Sequence, residues 1–178
     1  MGGTRVMKQY LKVALVLMLI TSICAVLIAL LNTWTAPIIE KNAYEKEQST
    51  LSVMFDNATF TEVDKGESEE IEKKFIAKDK TSDEELGYVY IVSGKNAYGM
   101  IRLMVAKKGD KIIKTEVMDN TESFKKAVNT FINDKVKPNE LTSADTDALD
   151  VKCGATYGAK LVQSLLNVVL SDGGANND

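Results

Sequence analysis

Histidine is absent from this chain of 178 residues. Its absence excludes Ser-His-Asp and Cys-His catalysis, histidine metal sites and histidine-ligated haem. Cysteine is scarce: Cys24 and Cys153 stand far apart and form no CxxC pair. Structural zinc, a thioredoxin-type redox pair and a cysteine-held iron–sulfur cluster are therefore not expected. No GxxxxGK[ST] or GxGxxG stretch occurs, so the usual nucleotide cradles are missing. Redox or transfer chemistry in such a chain must come from carboxylates, hydroxyls or a bound organic cofactor.

Positive charge is also unevenly supplied. Residues 1–12 hold Arg5, Lys8 and Lys12 and no acid, +3 against the whole chain's −3, so the remainder carries −6. An acidic body offers little to neutralise phosphates, and no nucleic-acid partner is expected. Between these parts, Val13 to Ile39 has no charge at all.

Within that stretch, Val13 to Leu31 is apolar apart from Thr21 and Ser22, whose hydroxyls can bond back to their own helix. At 1.5 Å per residue it spans about 28 Å, close to the hydrocarbon core of a bilayer. It is longer than the apolar region of a cleaved signal, and no good small-x-small site follows it, so an uncleaved anchor is expected. The basic flank predicts a cytoplasmic N-terminus and an extracytoplasmic body, with Trp34 at the interface. The expected organisation is a cytoplasmic segment at 1–12, a transmembrane helix at 13–35 and a polar stalk helix at 36–55. Pro37 would sit in the first turn of that stalk. A domain at 56–171 follows, then a disordered tail at 172–178.

The body reads as α+β. Thr59–Val63 and the segment around Lys74–Ala77 are strand candidates, separated by a charged loop at Asp64–Glu70. Gly87–Val92, Tyr98–Ala106 and Ile112–Met118 are β-branched and aromatic runs joined by apparent turns at Ser93–Asn96 and Lys107–Lys111, which predicts an antiparallel meander. Tyr88 and Tyr90 fall on one face of the first run and read as sheet packing. Phe124, Ala127, Val128, Phe131 and Ile132 have helical spacing. Thr142–Leu149 is polar and acidic. Val162, Leu165, Leu166 and Val169 mark a closing helix.

Just before that helix stands Asp150-Val151-Lys152-Cys153-Gly154-Ala155-Thr156-Tyr157-Gly158. Small residues let a bulky group approach the backbone, and the free N–H groups of a helix start favour an anion. Thr156 adds a hydroxyl. Read from the residues alone, the segment is either an anion site or a plain helix start with Thr156 as its cap.

Asp150-x-x-Cys153-Gly154-Ala155-Thr156 resembles the flavinylation motif of the FMN-binding domain family, Asp-x-x-Ser/Thr-Gly-Ala-Thr. By that resemblance Thr156 receives FMN through a phosphoester bond, placed by a dedicated flavin transferase. Cys153 replaces the usual Ser/Thr. Gly158 stands where a Ser or Thr is common. Glu122 and Ser123 match part of a family segment containing Glu-Thr-Pro-Gly, with Phe124 in place of the proline, and Ala97–Ile101 is similar to a Gly-Tyr-Gly-rich strand. The resemblance implies an α+β domain with an antiparallel sheet and flanking helices. It implies a cofactor site of Asp150, Cys153, Gly154, Ala155, Thr156, Tyr157 and Gly158, with Glu122 and Ser123 nearby.

Among the family's membrane-attached members the layout is most similar to the G subunits of Rnf ion-translocating ferredoxin:NAD oxidoreductases. The C subunits of sodium-pumping NADH:quinone reductases come next. The implied function is electron relay through covalent FMN in a complex that moves Na⁺ or H⁺, with the other membrane subunits as partners and no complete catalysis by this chain alone. Two alternatives stay open: another anchored extracytoplasmic flavoprotein reductase component, and a non-enzymatic anchored binding domain.

Overall fold

The computed structural model describes residues 3–173, with side chains from Tyr10 onward. Most of the expected tail, 174–178, and the first two residues of the N-terminal segment lie outside the described residues. The chain divides into two units, Met1–Glu45 and Lys46–Asp178, and α1 (Gly3–Met54) contributes to both.

In the first unit α1 is apolar and bare. Its most apolar 18-residue window has a mean hydropathy of 3.0 and no buried residue. Thr21 and Ser22 both donate to the Met18 carbonyl, at 2.9 and 2.8 Å. Their hydroxyls are thus satisfied inside the helix, as a lipid environment demands. A long uncovered apolar helix of this kind is consistent with a single-pass membrane anchor. One expectation needs correction: Pro37 does not begin a new helix but lies inside α1. Proline removes one i→i−4 hydrogen bond. The turns on either side stay helical, and the hydroxyls of Thr33 and Thr35 bond back to the Ala29 and Leu31 carbonyls.

The second unit is built on a five-stranded antiparallel meander. Its strands are β1 (Ala58–Val63), β2 (Ile71–Asp79), β3 (Glu85–Asn96), β4 (Gly99–Lys108) and β5 (Lys111–Asn120), in that order. After the sheet come α2 (Lys125–Phe131), a π-helical turn (Ile132–Val136), α3 (Ser143–Asp147) and α4 (Thr156–Ser171). The α+β class and the meander match the expectation.

Strand alternation separates two cores. Tyr90, Val92, Ile101, Leu103 and Val105 point to one face and pack with Val128, Phe131, Ile132, Val162, Leu165, Leu166 and Val169 of the helical layer. Val89, Ile91, Met104 and Ala106 point to the other face, where Leu51, Met54 and Phe55 cover them. Glu47, Leu51 and Met54 fall at i, i+4 and i+7 on the last turns of α1 and are all buried. Glu47 pairs with Lys73 at 2.7 Å and reaches Arg102 at 4.0 Å. Lys46 donates to the Met118 carbonyl.

Three local readings shift. Ser93–Asn96 is not a turn: β3 continues to Asn96. Gly94 is there for packing, because a Cβ would stand 2.7 Å from Leu161 Cδ1 of α4. The turn is made by Ala97 and Tyr98. Thr142–Leu149 contains a helix, α3, started by a capping box between Thr142 and Asp145, a Ser/Thr-x-x-acid pattern that is readable in the sequence. Phe124 is not part of the α2 core face; it is 53% exposed and precedes the helix.

The far end of α4 is closed by side chains from the sheet. Lys107, buried, donates to the carbonyls of Val169, Leu170 and Asp172. Asp172 Oδ2 accepts from Lys74 at 2.6 Å and from the Tyr90 hydroxyl at 2.7 Å. Burial alone would raise the Asp172 carboxyl, but the Lys74 and Tyr90 hydrogen bonds and the charges of Lys74 and Lys107 outweigh it and hold it below its ordinary 3.8. A carboxyl depressed in the fold contributes stability that is present above its unfolded value and lost as pH falls through the folded one. Acid unfolding followed by circular dichroism is therefore expected to lose part of its slope below pH 3.8 in Asp172→Asn. An unchanged acid limb would contradict the assignment.

Candidate cofactor site

Three separate segments converge at the open end of α4. The first is the β3–β4 tip. Asn96 Oδ1 accepts from the backbone N–H groups of Tyr98 and Gly99, at 2.7 and 3.1 Å, which folds the turn onto itself. The second is the strap after β5. Thr121 N donates to the Met100 carbonyl at 2.9 Å, and Ser123 N to the Tyr98 carbonyl at 3.0 Å. Thr121 Oγ1 accepts from Met100 N at 2.9 Å. The strap so extends the β5 edge alongside the tip. The third is the loop 150–155 and the first turn of α4.

Two glycines allow this convergence. Gly99 has φ +151°, and a Cβ there would stand 2.6 Å from both Glu122 Cα and the Thr121 carbonyl oxygen. Gly158 is buried; a Cβ would stand 2.5 Å from Val128 Cγ2 and 2.9 Å from Glu122 Oε1. A Ser or Thr at 158 would collide with the Val128 side chain and the Glu122 carboxylate. Glycine at this position is thus coupled to the strap.

Glu122 is 3% exposed. Its Oε1 accepts from Asn96 Nδ2, and its backbone N–H donates to Asn120 Oδ1 at 3.0 Å. It carries no ion pair among the described residues. A buried carboxylate without a cation is costly unless hydrogen bonds and dipoles compensate. Here the Asn96 amide supplies the bond, and the first turn of α4 lies against the carboxylate.

The loop places the expected residues as follows. Asp150 is exposed, and its Oδ1 accepts from Lys152 N at 3.1 Å, a local turn. Cys153 is half-buried and free. Gly154 has φ +80° and turns the chain into the helix. Ala155 is buried and is the N-cap residue, with no side-chain capping bond. Thr156 is the first residue of α4 and is exposed. Among the described residues its hydroxyl makes no hydrogen bond. Thr156 is therefore not the helix cap.

A cavity of about 230 Å³ opens here, lined by Tyr98, Glu122, Phe124 and Gly154 to Gly158. A larger one of about 780 Å³ shares Phe124 with it and has Ser123, Asp150, Lys152 and Cys153 in its wall beside α2. The structure thus brings all nine expected residues around two adjoining cavities. Sequence reasoning missed Tyr98, Phe124 and Asn96. The first two lie in segments similar to the family's but outside the expected site set, and the tip and strap geometry brings them to the cavity.

The arrangement fits an anionic group tethered at Thr156. The first-turn N–H groups of α4 have no side-chain cap, the first turn holds no acidic residue, and small residues clear the approach. No curated protein matches the chain. Residues 1–54 match the family model of the RnfG N-terminal region; these residues belong to α1, and the site lies beyond them. The chain is thus similar to the RnfG family over its N-terminal region.

Proposed function

We propose that this chain is a subunit of an Rnf-type complex and relays electrons through FMN bound covalently to Thr156 by a phosphoester. The reading extends to an ion-translocating ferredoxin:NAD oxidoreductase complex that moves Na⁺ or H⁺, with this domain on the extracytoplasmic side and a flavin transferase as its maturation partner. One observation carries it: a threonine hydroxyl that is exposed, has no hydrogen-bond partner among the described residues and opens a helix whose first N–H groups lack a side-chain cap.

Each residue has a definable part. Thr156 Oγ1 is the attachment oxygen. The α4 N-terminus holds the negative charge of a phosphoryl group by its free donors and dipole. Lys152 and Lys160, both exposed, add positive charge on either side. Gly154 and Ala155 leave the backbone accessible. Cys153 fills the position of a small hydroxyl residue. When bound, FMN supplies a ring that accepts and releases electrons, while the protein sets its place and surroundings. Attachment through the phosphate leaves that ring unmodified and replaces a dissociable cofactor by one of fixed local concentration.

The test is denaturing electrophoresis of the full chain purified from its own host, followed by mass spectrometry of the fragment around Thr156. A fluorescent band and a mass increase of one FMN less water are expected. A dark band of unmodified mass would end the flavin reading.

A further inference from the structure

Tyr98, Phe124 and Tyr157 come from the β3–β4 tip, the strap and α4. Their rings nevertheless meet: Tyr98 lies 5.9 Å from Phe124, edge to face, and 5.6 Å from Tyr157, centroid to centroid. None belongs to either core; they are 41%, 53% and 66% exposed. Single exposed aromatics are common on proteins and need no explanation. Three joined through Tyr98 around one cavity differ, because each holds apolar surface in water that a planar partner could cover. All three line the cavity that also contains Thr156.

We propose that this aromatic trio is the stacking platform for the ring of the group tethered at Thr156, with Tyr98 and Tyr157 in direct contact with it. The inference rests on the reading of Thr156 as the attachment point and adds the residues that receive the ring. The occupant follows from the chemistry present. The cavity wall offers three aromatic rings, the carboxylate of Glu122, and a hydroxyl for the tether. A flat, aromatic, hydrogen-bond-donating ring system suits that set. Phe124, standing where the resembling family carries proline, supplies an edge in its place.

The consequence is optical. A phenol touching an excited flavin passes it an electron and takes it back without light emission, whereas the phenyl ring of phenylalanine is much harder to oxidise. The experiment compares flavin fluorescence of the native and the denatured full chain, for wild type and for Tyr98→Phe/Tyr157→Phe. The exchange keeps both rings, so melting temperature and denatured fluorescence should not change. Native fluorescence is expected to rise severalfold in the double variant. Equal native fluorescence, with both denatured bands bright, would overturn the platform alone and favour the larger cavity beside Cys153. Dark denatured bands would overturn the attachment reading, and the platform with it.

Discussion

A Thr156→Ala chain is expected to fold normally and carry no covalent flavin, giving a complete loss of in-gel fluorescence rather than a partial one. The argument separates folding from modification. The Thr156 hydroxyl takes part in no hydrogen bond among the described residues, and the N-cap position belongs to Ala155. Removing the hydroxyl breaks nothing in the fold. Alanine also has the higher helix propensity, so stability should move by no more than about 0.5 kcal/mol. A dark band with an unchanged melting temperature would therefore report lost chemistry, not lost structure. A fluorescent Thr156→Ala band would move the attachment point elsewhere and break the assignment.

Gly99→Val is expected to have the largest effect on stability, about 3 kcal/mol or more, and to abolish loading as a result. The atoms that a side chain would meet are backbone: Glu122 Cα and the Thr121 oxygen at 2.6 Å, and Glu122 N at 2.7 Å. No rotamer change can relieve such a clash. The φ of +151° adds strain for any residue with a Cβ. The strap would lift from the β3–β4 tip, weakening the bonds from Ser123 to the Tyr98 carbonyl and the Asn96–Glu122 pair. A lowered urea midpoint for the full chain in detergent checks this. A variant as stable as wild type would mean that tip and strap are not clamped together.

The meander and the closing helix were legible because they rest on local pattern: period-two runs, and apolar residues at helical spacing in α4. Thr156 and its neighbours were legible through a compact motif. What the sequence left hidden depends on contacts between distant segments. Gly94 and Gly158 look like turn or loop glycines until Leu161, Val128 and Glu122 are seen against them. Phe124 keeps helical spacing with Val128 and Phe131, yet it faces Tyr98, because the strap is tied to the tip before α2 begins. Pro37 looked like a helix start because proline favours that position, but one missing hydrogen bond does not end α1. The family match and the motif are independent signals, one in residues 1–54 and the other at Asp150–Thr156.

The two ends of α4 are finished differently. Lys107 closes the C-terminal end by donating to three carbonyls, while the N-terminal end has no side-chain cap. The helix is thus closed by side-chain hydrogen bonds at one pole only, the Glu122 carboxylate lying against the other without capping it. A phosphoester at Thr156 would terminate the other. In that sense the proposed group would also be a structural part, supplied after synthesis.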